Sequence, residues 1–223
     1  MKRLLNRNAG ERAIHAFLKK HPLLIVHAFN DAWNAIHVVP EFQLGQHLRC
    51  DFLLFGAYSN GWNIHFIELE PVGARLFNKD GTPGRSLKSA QKQISDWMEY
   101  ERTDEAVLRQ ELARVLVAKE CLDRADGSKK DKSWLQYCAR QIKDIHYIVH
   151  YYHHIVIGRR HTLTEADNNR RSRGHAAFSA EIATYDRFLD IAAKFDSLEK
   201  DRASNKAVEG TGDPRAARQP PHR

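Results

Sequence analysis

Three carboxylates stand where two neighbouring β-strands could bring them together: Asp51, Glu68 and Glu70. Side chains alternate across a strand. In WNIHFIELE (62–70) that puts Ile64, Phe66, Glu68 and Glu70 on one face and His65, Ile67 and Leu69 on the other. Two acids therefore emerge together at the end of an apolar strand. Asp51 lies in LRCDFLLF (48–55), among Cys50, Phe52, Leu53 and Leu54, where a carboxylate buried without a partner is costly. Three acids on paired strands can share a divalent cation, and hard oxygen ligands suit Mg²⁺ or Mn²⁺. Such a cation lowers the pKa of a bound water and stabilises developing charge on a phosphate. Acids at strand ends more often face solvent, so Glu68 and Glu70 alone do not make a site. The following segment adds Gln93, Trp97 and several basic groups.

The elements that must position these acids are legible in outline. Ala13, Ile14, Phe17 and Leu18 mark a helix over 10–20 that stops at His21-Pro22. Residues 23–35 predict a short helix or turn anchored by Trp33. Residues 36–42 predict a strand, with Pro40 pointing to an edge or a bulge. The turn chemistry of Tyr58-Ser59-Asn60-Gly61 joins the two acidic strands into an antiparallel hairpin. A loop covers 71–85. The pattern from Ser86 to Tyr100 is helical, with Leu87, Ala90, Ile94, Trp97 and Met98 on one side. A further helix is expected over 104–122, a basic loop over 127–133, and a core strand ending in IVIG within 145–158. A helix opened by Thr164 follows, and IATYDRFLDIAAKF starts as a strand and becomes a helix. The result is an α/β fold with a central mixed β-sheet flanked by helices. One domain spans 1–200. The segment 201–223, rich in Gly, Pro, Arg and Ser, is read as a disordered basic tail.

Composition fits this outline. The chain has 223 residues and a formal charge of +7, which favours polyanionic partners, nucleic acid first. Cys50, Cys121 and Cys138 are widely spaced, which argues against a disulfide framework or a zinc site. No apolar run reaches the length of a membrane span, and the N-terminus lacks the features of a secretory signal. A cytoplasmic protein is the expectation.

Asp51 followed by Glu68-Leu69-Glu70 resembles the PD-(D/E)XK nuclease core, with Glu70 in the position of the usual lysine. The motifs IELEP, LFNKDGTPGRSLKSAQKQISDW, IVIGRR and IATYDRFLD, with the opening ERAIHAFLKKHPLLI, resemble the C-terminal nuclease domain of the Shedu antiphage defence family over roughly residues 11–190. The resemblance implies a restriction-endonuclease-like core and a divalent-metal site, Mg²⁺ or Mn²⁺. Asp51 and Glu68 would be ligands, Glu70 a further ligand or base, and Glu11 an acid beside the metal. Gln93 would line the site as a catalytic residue. It implies a metal-dependent DNA endonuclease of bacterial antiphage defence, with DNA as partner and a homo-oligomer as assembly. Lysine normally orients or activates the attacking water; Glu70 cannot do so as a cation, but could accept a proton. Lys79, Lys88 or Lys92 could supply the missing charge.

Arg75, Lys79, Arg85, Lys88 and Lys92, with Arg159, Arg160, Arg170, Arg171 and Arg173, could bind phosphates. Each alone more often belongs to a solvated face. His146, His150, His153 and His154 read better as parts of a half-buried strand than as a metal site. Trp62, Trp97 and Trp134 read as packing anchors, and Tyr185 and Asp186 as a structural strand-to-helix junction. Two rival functions remain at this level: a nuclease fold without chemistry that binds nucleic acid or scaffolds an assembly, and a regulatory oligomerisation unit.

Overall fold

The sheet grows outward from the acidic hairpin. In this computed structural model, residues 1–29, 34–59, 61–118 and 132–209 are described. In chain order they form α1 (Lys2–Asn6), α2 (Glu11–Lys20), α3 (Pro22–Phe29), β1 (Asn34–Leu44), β2 (Leu48–Tyr58), β3 (Gly61–Leu69), α4 (Arg85–Thr103), α5 (Glu105–Val117) and α6 (Lys132–Lys143). Then come β4 (Ile148–Val156), a 3-10 turn (Arg160–Thr162), α7 (Glu165–Phe178), β5 (Ala180–Ala183) and α8 (Asp186–Glu209). The strands line up as β1-β2-β3-β4-β5. β1, β2 and β3 are antiparallel, whereas β3–β4 and β4–β5 are parallel. A parallel pair needs a long crossover. Helices α4, α5 and α6 fall between β3 and β4, and α7 falls between β4 and β5.

Each face of the sheet carries its own apolar layer. Leu53, Phe55, Ile64 and Phe66 pack with Leu87, Ala90, Ile94 and Trp97 of α4 and with Leu112 and Ile142 of α5 and α6. The expected stripe on α4 is thus the buried one. Phe52, Leu54, Ile67 and Leu69 pack with Ile14 and Leu18 of α2, Ile25 of α3 and Phe188 of α8. Burying a side chain of this size contributes about 1.5–3 kcal/mol, so both layers hold the hairpin rigidly. The alternation predicted for β3 is met at Ile64, Phe66, Ile67 and Leu69. Pro40 sits on an edge strand, as its ring favours. Thr164 caps α7 as expected. Its hydroxyl accepts from the Asp167 N–H at 3.1 Å while Asp167 accepts from the Thr164 N–H at 3.1 Å.

Three expectations change. Helix α6 was not anticipated: Lys132 and Ser133, assigned to a basic loop, open it. Its Leu135, Cys138, Ala139 and Ile142 form the buried stripe. Trp134 is no core anchor; it is 40% exposed and stacks on Tyr137, whereas Trp62 and Trp97 are buried. Helix α8 runs to Glu209, past residue 201, where the tail was expected to begin. Trp33, Cys121, most of the 127–133 segment and residues 210–223 lie outside the described residues. Among the described residues no helix is long and apolar enough to cross a membrane.

Candidate active site

Asp51 lies where the alternation of β2 breaks. Cys50 and Leu53 face the same apolar layer although three positions apart, while Phe52 and Leu54 face the other. Opposite, Glu41 of β1 has a left-handed backbone at φ 54°, and Phe42 and Val39 share a layer in the same way. The irregularity frees Asp51 from a regular strand position. Its Oδ2 accepts the Leu69 N–H at 2.7 Å. The β2–β3 register pairs Phe52 with Ile67, so Asp51 and Glu68 come one step further along. The Glu70 N–H donates to the Val156 carbonyl at 2.8 Å, extending the β3–β4 ladder past Leu69.

The carboxylates act on one another. Burial, then the charges of Asp51, Glu70 and Glu11, push Glu68 up to about 9; the Gln93 amide opposes this. Burial pushes Glu70 up to about 7, against the Ser86 hydroxyl and with help from Glu11 and Asp51. Asp51 is raised by burial, with the Leu69 N–H opposing. Glu11, at the start of α2, is raised by burial and by Asp51. Gln93, on α4, also donates to the Arg49 carbonyl at 3.0 Å. All five residues singled out in the sequence therefore meet at the C-terminal end of β3.

Several supports were not singled out. His15, one turn after Glu11 on α2, stacks on Phe52 and lies 3.3 Å from the Asp51 carbonyl. Ser86 opens α4 beside Glu70. The Glu11–His15 spacing was the available signal, since residues four apart share a helix face. Tyr185, fully buried at the β5–α8 junction, donates its hydroxyl to the Glu70 carbonyl at 2.7 Å. Gly158 has φ 64°, and a Cβ there would sit 2.8 Å from the Ala74 carbonyl. Its backbone joins the ends of three segments: its N–H reaches the Pro71 carbonyl and its carbonyl accepts from Tyr185.

The basic groups divide. Arg159 is 8% exposed and bonds Asp186 through two nitrogens, and Arg160 pairs with Asp190. Arg171 bonds the Ile182 carbonyl and Lys92 pairs with Asp96. Arg159 and Arg171 are held by these bonds, whereas Arg160 and Lys92 stand in exposed pairs. The Arg49 guanidinium acts on Asp51 as a cation. His153 and His154 of β4 are tied into the fold. His153 contacts Glu101 at 2.7 Å on one face, and His154 links His65 to Glu181 at 3.0 Å each on the other.

Among the described residues no three His, Cys, Asp or Glu side chains form a ready-made metal-ligand set. Mg²⁺ does not need one: it is held by one or two carboxylates, waters and substrate phosphate. The donors at the end of β3 are hard carboxyl oxygens whose ionisation is held back by burial and by one another, so they fit such a cation in chemistry.

A five-stranded mixed sheet flanked by helices, with acids at the end of its central hairpin, is a restriction-endonuclease-like organisation. Residues 8–189 match the family described as Shedu protein SduA, C-terminal, and the chain belongs to that family. Membership carries the general expectation of a defence nuclease. No curated protein matches the chain.

Proposed function

We propose that this protein is a metal-dependent endonuclease that hydrolyses DNA phosphodiesters in antiphage defence. The observation that carries the reading is the cluster itself: Glu11, Asp51, Glu68 and Glu70 meet at the end of β3, where burial first and their mutual charge next push Glu68 up to about 9. A solvated strand end has no use for such repulsion, whereas a cation relieves it.

Asp51 and Glu68 would hold Mg²⁺ or Mn²⁺, with Glu70 and Glu11 beside them and the Leu69 carbonyl as a further ligand. When bound, the cation supplies Lewis acidity and neutralises charge on the scissile phosphate. Glu70, near 7, exchanges protons at neutral pH and is suited to take one from the attacking water. This is how a carboxylate can stand where related sites use lysine. Gln93 orients Glu68 and, through Arg49, ties α4 to β2. Tyr185 fixes the Glu70 backbone, so the carboxyl is aimed from a rigid element. Exposed basic groups outside the ion pairs hold the DNA backbone.

The test compares supercoiled, linear and single-stranded DNA with Mg²⁺ or Mn²⁺, for wild type and Glu68→Ala. Metal-dependent cutting lost in the variant is expected. Equal residual nicking in both would remove the site assignment. Salt-sensitive DNA binding without cutting would favour the rival, a nuclease fold that only binds.

A further inference from the structure

Helices α5 and α6 pack side by side and leave a groove that the acidic centre does not share. Leu108, Leu112 and Leu116 of α5, with Leu135 and Ile142 of α6, belong to the apolar layer against the sheet. The groove runs beside that stripe and measures about 780 Å³. Val107, Gln110, Arg114 and Val117 line it from α5, and Gln136, Arg140 and Lys143 line it from α6. Successive members are three or four residues apart, so each set makes one continuous stripe on its helix. From Val107 to Val117 the α5 stripe is about 15 Å long, nearly three helical turns.

The floor of the groove is apolar and its rim is cationic. Ala113 and Ala139 are buried at the bottom, where their small side chains leave room for another chain to approach. Val107 and Val117 are 48% and 46% exposed, apolar side chains left in water. Around them stand Arg114, Arg140 and Lys143, all exposed. Among the described residues none of the three has a carboxylate within salt-bridge distance. Glu111 also lines the groove, but its carboxylate accepts from the Gly45 N–H and from the Tyr100 hydroxyl, at 3.2 Å each. It is engaged with the β1–β2 turn, and the rim keeps three cations without a counter-charge.

Floor and rim together select the occupant. A phosphate backbone gains nothing from valine and alanine, which sets these cations apart from those that hold DNA. Two parallel stripes of helical spacing match a third helix better than a strand or a loop. An amphipathic helix lays its apolar face on such a floor through anchors at i, i+3, i+4 and i+7, while acids on its flanks meet the rim. A partner without those acids would leave the three cations desolvated and unpaired, which is costly.

We propose that the α5–α6 groove docks an acidic amphipathic helix of a partner protein. The inference does not rest on the nuclease reading. It gives the chain a protein-binding surface besides its acidic centre.

The test measures anisotropy of a labelled helical peptide of about three turns against the full chain, with leucines at that spacing and glutamates on both flanks. A second peptide carries lysines in place of the glutamates, and a third carries serines in place of the leucines. Wild type is expected to bind the glutamate peptide about tenfold more tightly than either of the others. Arg114→Glu/Arg140→Glu should reverse the order of the glutamate and lysine peptides, a result that loss of folding could not produce. Binding of no peptide by wild type, or equal binding of all three, would overturn the proposal. A DNA duplex that displaces the glutamate peptide, and binds the charge-reversed variant more weakly, would make the groove a nucleic-acid surface and overturn it. Self-association of wild type in sedimentation, abolished in the same variant, would assign the groove to a second copy and overturn it as well.

Discussion

Replacing Glu68 with glutamine is expected to stabilise the metal-free protein while silencing it. In the folded state Glu68 titrates near 9, against an ordinary 4.5. At pH 7 the unfolded chain carries it ionised and the folded chain carries it protonated. Folding therefore takes up a proton, at about 1.36 kcal/mol for each pH unit above 4.5, or about 3 kcal/mol at pH 7. Hydration and relaxation of a half-buried site reduce this to about 1–2 kcal/mol. The sign follows from a raised folded pKa: Glu68 costs nothing below about 4.5, and the cost grows as pH rises towards 9. Glutamine, the neutral isostere, avoids it. Urea unfolding in EDTA at pH 5, 7 and 8.5 should show Glu68→Gln close to wild type at pH 5 and progressively more stable above. At pH 7 this corresponds to a gain in Tm of about 2–8 °C. An advantage of equal size at all three pH values, or no advantage at all, would refute the electrostatic reasoning.

Glu70→Ala is expected to lower cleavage by about 10²–10⁴-fold at unchanged DNA affinity, as for a lost general base; single-turnover kinetics separates the two. Acid should destabilise the opposite face of the sheet. His65 is pushed down to about 3 by burial and by His154, so the unfolded chain takes up a proton below about 6.5 and the folded chain does not. In a Glu68→Gln/Glu70→Gln background, which removes the two large opposing trends, stability should fall by about 2 kcal/mol between pH 6.5 and 5; chemical denaturation at the two pH values reads it. Arg159→Ala should cost about 3–5 kcal/mol, because it strands half-buried Asp186, whereas Arg160→Ala, in an exposed pair, should cost under about 1 kcal/mol. Urea midpoints of the two variants check this.

The acidic hairpin was legible because period-two alternation and a Tyr-Ser-Asn-Gly turn are local signals. So were the buried stripe of α4 and the cap at Thr164. What local pattern could not show was partner choice at a distance. Nothing in IVIGRR tells that Arg159 will meet Asp186, 27 residues on, rather than a phosphate. The break at Asp51 escapes because it depends on Glu41 across the ladder, not on LRCDFLLF itself. Helix α6 escaped because its apolar stripe is short, and Trp134 and Tyr137, which look like core, stack on each other at the surface. Tyr185 was placed correctly at its junction, but its bond to the Glu70 carbonyl spans 115 residues.

The most direct test of the acidic centre is the proton released when it takes a divalent cation. Metal ligands must be deprotonated. At pH 7 Glu68 is protonated, and Glu70, near 7, is about half protonated. Isothermal titration of Mn²⁺ into the metal-free protein, repeated in buffers of different ionisation enthalpy, should give about one to one and a half protons released per ion. Glu68→Gln should lower that number by about one and weaken binding. Mn²⁺ binding with no proton release, or binding indifferent to Glu68, would place the cation elsewhere and contradict the account.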